Sequence, residues 1–166
     1  MKKQLLLLAV CIIAALSAGA TGRSDTKIRN WSITEAFTSI TVSNNIDIIL
    51  AESGSQQISI EGRSKFVDAV RLDVVNGELR ISGSKSNMCG KVRLYIPVSQ
   101  LQKLTVRGTS EVNTMGILDS PNLLVNIEGH CLVNVKTKGK LIIKNEYGYE
   151  IDYVKNNQLV IKDSSL

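Results

Sequence analysis

The sequence predicts an all-β fold: an antiparallel hairpin sheet that leads into strands stacked like the turns of a β-helix. Three observations predict it. Apolar residues recur at every second position in short runs, as they do on a strand with one buried face. Turn-forming residues separate those runs at short intervals, in "AESGSQQ", "NG", "GSKSN", "RGTS", "DSPN", "EGH" and "TKGK". The phrase "LTVRGTSEV", Leu104 to Val112, returns 21 residues later as "VNIEGHCLV", with the same apolar-x-apolar-x-Gly opening and the same final Val.

The chain begins with Met1-Lys2-Lys3, continues with the apolar run Leu5 to Leu16, and ends that segment with small residues. This is the layout of a secretory signal peptide over residues 1–20, with cleavage expected after Ala20. The run is well short of the ~20 apolar residues that cross a bilayer as a helix. Acylation of Cys11 is the alternative, but Val10 stands where a small residue is expected and Cys11 lies in mid-run. Residues 21–36 read as a polar N-terminal segment and residues 37–166 as a single β-domain, a length that suits one domain.

The period-two runs follow in order: Ile46-x-Ile48-x-Leu50, Ile58-x-Ile60, Val70-x-Leu72-x-Val74, Leu79-x-Ile81, Leu104-x-Val106, Val125-x-Ile127 and Leu159-x-Ile161. Between Val75 and Glu78, Asn76-Gly77 supplies the two positive-φ positions of a type I′ hairpin turn. "YEIDYVKNNQLVIKD" is a worn copy of that hairpin with one extra turn residue. Gly62, Gly83, Gly108 and Gly129 each close an apolar-x-apolar-x-Gly motif, and repeats of this length mark stacked units. Glycine suits a corner because it reaches positive φ without the roughly 1–2 kcal/mol other residues lose there. An antiparallel β-sandwich carries the same alternation and is the alternative fold.

Taken in order, "FTSITVSNNIDIIL", "VVNGELRISG", "KVRLYIPVSQLQKLTVRGTSEV" and "LLVNIEGHCLV" resemble the bacterial GIN-domain family of auto-transporter adhesin heads, over about residues 37–133. The resemblance implies an exported all-β domain with β-helix-like stacking in its second half, found in surface or periplasmic proteins of Gram-negative bacteria. After Val133 the chain departs from the family pattern, with Asn145 and Asp163 where further corner glycines are expected.

The formal charge of +5 falls to +3 once Lys2 and Lys3 are removed, and the basic residues are dispersed. Nucleic-acid binding, which uses a clustered basic face, is excluded on that ground. Cys89 and Cys131 either form a disulfide, which would add ~2–4 kcal/mol, or stay as two buried thiols. His130 is the only histidine, which excludes a multi-histidine metal centre and leaves it as a solvent-facing turn residue. Its neighbour Cys131 points to the opposite face of a strand, so the two do not pair. Glu146, Glu150 and Asp152 share one strand face, either a solvated surface or an oxygen-rich calcium row, of which the solvated surface is preferred.

On the other face Tyr147, Tyr149 and Tyr153 align, either as a sugar-stacking platform or as the cover of a last layer. Lys136, Lys138 and Lys140 form a basic row, fit to meet an anionic polysaccharide or lipid head group, or to guard an edge. No cofactor and no metal site is expected. The function expected is that of an exported, non-enzymatic module of the envelope or surface, of adhesin-head type, binding a glycan or an envelope protein. The alternative class is a polysaccharide-acting β-helix enzyme, which needs paired carboxylates at a fixed separation.

Overall fold

The chain alternates short strands with tight corners because its apolar residues alternate and its glycines and asparagines punctuate them. The computed structural model describes residues 25–84, 88, 92–145, 151–154 and 158–161, with side chains up to Lys144. Strands β1 (Thr26–Ser32), β2 (Ser39–Val42), β3 (Asp47–Glu52) and β4 (Gln57–Arg63) precede one turn of helix, α1 (Ser64–Val67). Then come β5 (Val70–Val75), β6 (Glu78–Gly83), β7 (Val92–Val98), β8 (Lys103–Arg107) and β9 (Glu111–Met115). The chain continues with β10 (Asn122–Glu128), β11 (Leu132–Lys136), β12 (Lys140–Asn145), β13 (Ile151–Val154) and β14 (Gln158–Ile161). One sheet has eight strands in the order β1-β4-β7-β3-β9-β11-β14-β13, the other six in the order β12-β10-β8-β2-β6-β5. Among the described residues no helix is long and apolar enough to cross a membrane.

The repeated phrase is a stacking register. β10 lies parallel to β8 with Val125 opposite Leu104 and Ile127 opposite Val106. After the corner, β11 lies parallel to β9 with Val133 opposite Val112. Each copy of the phrase is thus one rung, passing from the six-stranded to the eight-stranded sheet and lying residue on residue over its copy. A third rung is β2–β3, with Ile40 opposite Leu104 and Ile48 opposite Val112. β6–β7 stacks on its far side, Leu79 against Ile40 and Leu94 against Ile48.

The result is two internal columns of aliphatic side chains. Leu79, Ile40, Leu104 and Val125 form one, and Leu94, Ile48, Val112 and Val133 form the other; all eight are fully buried. At about 1.5–3 kcal/mol for each buried side chain, such columns supply the core. Val106 and Ile127, on which the stacked reading depends, are also fully buried. Parallel ladders in register separate this arrangement from an antiparallel sandwich.

The corners are held by close backbone packing and by side chains that reach to the next rung. Asn44 and Asn45 (φ 66° and 58°) turn the β2–β3 rung, and Gly108 (φ 85°) turns β8–β9. Asparagine is one of the few residues besides glycine that visits this region. The Thr109 amide donates to Asn45 Oδ1 at 2.7 Å, and the Glu111 amide to Asp47 Oδ1 at 3.0 Å. A Cβ placed on Gly129 would lie 2.4 Å from the Gly108 nitrogen and 2.5 Å from its oxygen. At the opposite corners, Thr137 Oγ1 donates to the Ser120 carbonyl at 2.9 Å, and the Asp119 amide donates to the Glu52 carboxylate at 2.9 Å.

Several expectations change. Gly62 lies within β4, opposite Lys27 and Val92, and Gly83 ends β6 opposite Val70, so neither turns a corner. Gly83 instead makes room for Met88, since a Cβ there would sit on its sulfur. The stack also reaches back into the first half of the chain, because β2–β3 is a rung whose corner carries Asn44 and Asn45 in positive φ rather than a glycine. The segment read as polar contributes β1, which pairs with β4 from Thr26 to Ser32 and packs a half-buried Trp31 on the core. Its inward positions hide in the sequence because two of them are charged: Lys27 Nζ meets Asp68 at 2.6 Å and Arg29 donates to the Val70 carbonyl at 2.9 Å. α1 buries Phe66 and Val67 in a single turn, too short to show helical periodicity. The hairpin at Asn76-Gly77 (φ 52° and 73°) pairs Val75 with Glu78, and β13 pairs antiparallel with β14 with Tyr153 opposite Leu159.

Polar ties also clamp neighbouring rungs on the outer face of the six-stranded sheet. Arg107 Nε donates to Glu128 Oε2 at 2.6 Å. Thr41 Oγ1 donates to Glu78 Oε1 at 2.6 Å, and within β6 Arg80 Nε donates to Glu78 Oε2 at 2.9 Å. The Thr41 hydroxyl first, and the Arg80 guanidinium with it, hold the Glu78 carboxyl below the usual glutamate range. A carboxylate whose pKa is lower folded than unfolded stabilises the fold above the unfolded value, and the stabilisation is lost as pH falls through the folded one.

Two outcomes follow for stability. Gly129→Ala is expected to destabilise by about 1–3 kcal/mol, the range of overpacking, whereas Gly54→Ala, with nothing within 4 Å of the added Cβ, is expected to be close to neutral. Urea unfolding of both variants checks this. Glu78→Gln is expected to lower stability at pH 7 by up to about 1 kcal/mol, a gap that closes as acid takes the wild type below the ordinary glutamate range. Unfolding midpoints measured from pH 7 down to pH 3 read it directly.

Candidate functional site

The columns that bury Leu94, Ile96, Ile48 and Leu50 force their strand neighbours outward, because successive side chains on a strand take opposite faces. The outer face of the eight-stranded sheet is therefore lined by Arg93 and Tyr95 of β7, Ile49 of β3, Ser59 and Glu61 of β4, and Asn113 of β9. Cross-strand pairing sorts them into rows that run across the strands. One row joins Glu61 to Arg93 and Arg93 to Asp47. The next runs Asn30, Ser59, Tyr95, Ile49, Asn113, Asn134, with neighbours about 4.8 Å apart, the spacing of paired strands.

Where the two rows meet, the surface dips into a concavity of about 260 Å³ whose wall includes Glu61, Arg93, Tyr95 and Asp47, with Thr26 at the rim. Tyr95 and Glu61 are half-buried and Arg93 is exposed. Asp47 is only 6% exposed and already accepts the Glu111 amide, so it is part of the scaffold. Among the described residues no side-chain hydrogen bond or ion pair is seen for Glu61, Arg93 or Tyr95. Asn113 Nδ2 donates to Glu111 Oε1 at 2.8 Å, which fixes that amide on the face.

Two further depressions lie at the corners. A cleft of about 400 Å³ runs between residues 33–38, 53–56 and 97–99, with half-buried Phe37 and Ile33 on its apolar side. A smaller one of about 320 Å³ is lined by Gln100, Asp119, Ser120, Pro121 and Lys138. Lys138 Nζ stands 3.4 Å from Asp119 Oδ1, and with both side chains 65% exposed the pair is worth under about 1 kcal/mol.

The basic row is dispersed by the fold. Lys136 ends β11 in the eight-stranded sheet, Lys138 lies in the turn, and Lys140 begins β12 in the six-stranded sheet. A corner intervenes, so the three do not project from one strand face. His130 is exposed at its corner and Cys131 beside it is buried, which separates imidazole from thiol. Cys89, Tyr147, Tyr149, Glu146 and Glu150 lie outside the described residues. Tyr153 and Asp152 belong to β13, which is described by its backbone.

Tyr95, Arg93 and Glu61 went unnoticed in the sequence, although a signal was present. In "KVRLYIPV" the alternation that buries Val92, Leu94 and Ile96 puts Arg93 and Tyr95 on the other face. Glu61 joins them only through antiparallel pairing of β4 with β7 across 32 residues of chain, which no local pattern announces.

A family model described as "Putative auto-transporter adhesin, head GIN domain" matches residues 36–152. Two solved structures, each a "putative adhesin", come from Parabacteroides merdae and Bacteroides fragilis. Both superpose with a TM-score of 0.61, at 20% and 19% identity, over 75% and 74% of this chain and 54% and 59% of theirs. A "putative lipid binding protein" from Parabacteroides distasonis superposes with a TM-score of 0.52 at 15% identity, over 75% of this chain and 61% of its own. This chain therefore spans between about half and two thirds of the solved structures it matches, and at these identities the likeness is one of fold. Comparison with curated protein sequences returned no match.

Proposed function

The chain belongs to the GIN-domain family of auto-transporter adhesin heads, and from that membership we propose that it is an exported, non-enzymatic binding module of the cell envelope or surface. The observation that carries the reading is the outer face of the eight-stranded sheet. Asn, Ser, Tyr, Glu and Arg side chains stand there in rows on strands whose opposite face is the aliphatic core, so the groups are held in place before a ligand arrives. A face of this kind suits recognition by hydrogen bonds and ring contacts. The ligand is a surface glycan or an envelope protein, and the N-terminal charge, apolar and small-residue layout supports export to the place where both are met. Tyr147, Tyr149 and Tyr153 belong to the reading as ring contacts, and Lys136, Lys138 and Lys140 as contacts for an anionic polysaccharide or lipid head group. The lipid-binding description of the Parabacteroides distasonis structure is in keeping with a role at the envelope.

The test is a screen of the chain from Thr21 onward against an array of bacterial surface glycans and a panel of purified envelope proteins. Saturable binding that leaves the glycan chain length unchanged is the expected result. Failure to bind any member of either panel overturns the reading, and release of new reducing ends turns it in favour of a polysaccharide-acting enzyme. Triple substitution of Tyr147, Tyr149 and Tyr153 by Ala is expected to weaken glycan binding about tenfold, a typical effect for aromatic anchors. Equal binding by the variant removes those three residues from the site.

A further inference from the structure

We propose that the concavity walled by Glu61, Arg93 and Tyr95 is a subsite for one sugar residue of an uncharged oligosaccharide, whose chain continues along the row Tyr95, Ile49, Asn113 and Asn134. The proposal rests on the binding-module reading and adds to it a ligand class and a place. The chemistry of the wall decides the class. Arg93 offers N–H donors with a fixed geometry, Glu61 offers acceptor oxygens, and hydroxyl groups can satisfy both because each donates and accepts. Tyr95 adds a ring that covers an apolar C–H face while its own hydroxyl stays available.

Other ligand classes fit this wall less well. An anion gains from Arg93 but meets the carboxylates of Glu61 and Asp47, which line the same hollow. A cation meets the reverse. A peptide that adds to a sheet needs a free strand edge, whereas β7 is paired on both sides, with β4 and with β3. The volume of about 260 Å³ lies below the roughly 300–1,000 Å³ of sites that enclose a whole small molecule. It suits one ring of a longer chain lying on the surface. The row that leads away from Tyr95 carries the apolar Ile49 and then amides at Asn113 and Asn134, so an apolar stretch is followed by a polar one along the direction that chain would take. Beneath the site Leu94, Ile48 and Val112 are fully buried, and they fix the strands that hold these groups.

The experiment titrates the chain with neutral hexose and N-acetylhexosamine oligosaccharides and, in parallel, with dextran sulfate, at low and at high salt. Wild type is expected to bind a neutral oligosaccharide with an affinity that salt leaves unchanged, since no net charge is neutralised. Tyr95→Ala and Arg93→Gln are each expected to weaken that binding about tenfold or more, the size of a central contact, with the melting temperature preserved because both side chains lie on the outer face. Tyr95→Phe, which keeps the ring, is expected to retain most of the affinity. If wild type binds a neutral oligosaccharide and all three variants bind it equally, the subsite is wrong while the binding-module reading stands. Binding confined to dextran sulfate and abolished by salt overturns the uncharged class. Absence of carbohydrate binding in both series overturns the proposal, and the module reading is then decided by its envelope-protein panel.

Discussion

The structure depends on the nesting of backbone against backbone at the corners between rungs. Parallel strands stack about 4.8 Å apart, and the chain that joins them at a corner must keep the same spacing or the ladders lose register. Gly129 meets this by bringing its Cα so near the Gly108 peptide that a methyl group has no room, and Asn45 meets it by closing the Thr109 amide with its own side chain. Once the corners nest, the register on both sides is fixed. A slip of one residue would turn Leu104, Val106, Val125 and Ile127 outward together, so the aliphatic columns reinforce the corner geometry.

The two outer faces inherit their character from this constraint. Since the inward positions of the stacked rungs are taken mostly by aliphatic residues, most polar side chains are displaced outward and, through the common register, line up in rows across strands. On the six-stranded sheet part of these rows is spent internally, as Arg107 with Glu128 and Thr41 with Glu78 tie rung to rung and Arg80 holds Glu78 along β6. On the eight-stranded sheet the antiparallel pair β4 and β7 brings Glu61 beside Arg93 and Ser59 beside Tyr95, and these groups face solvent. The division ties one face internally and leaves the other as the surface on which the proposed binding rests.

Similarity to a solved structure at a TM-score of 0.61 with only 20% identity fits this physics. The fold requires the alternation, the corner residues and the spacing between repeats, and its buried aliphatic positions tolerate exchange among Val, Ile and Leu. The outer rows are under no such constraint, so their side chains can change without loss of the fold. This chain spans only part of the length of the solved structures it matches.

The sequence by itself determined many of the strands, one hairpin and one register. Alternation over a few residues placed the buried positions from Ile46 to Ile127, Asn76-Gly77 placed the β5–β6 turn, and the interval between Gly108 and Gly129 placed two rungs. These are legible because period two, positive φ and repetition are local properties of the chain. Tertiary structure alone decided that β2–β3 enters the stack between β6–β7 and β8–β9, that Asn44 and Asn45 turn its corner, and that Gly62 and Gly83 lie in strands. It also decided that Glu61, Arg93 and Tyr95 share one hollow while Lys136 and Lys140 fall on different sheets. The reason is common to all of these: which strand becomes a neighbour is set by the fit of side chains far apart in the chain, and a sequence pattern carries the face of a residue but not the identity of the strand beside it.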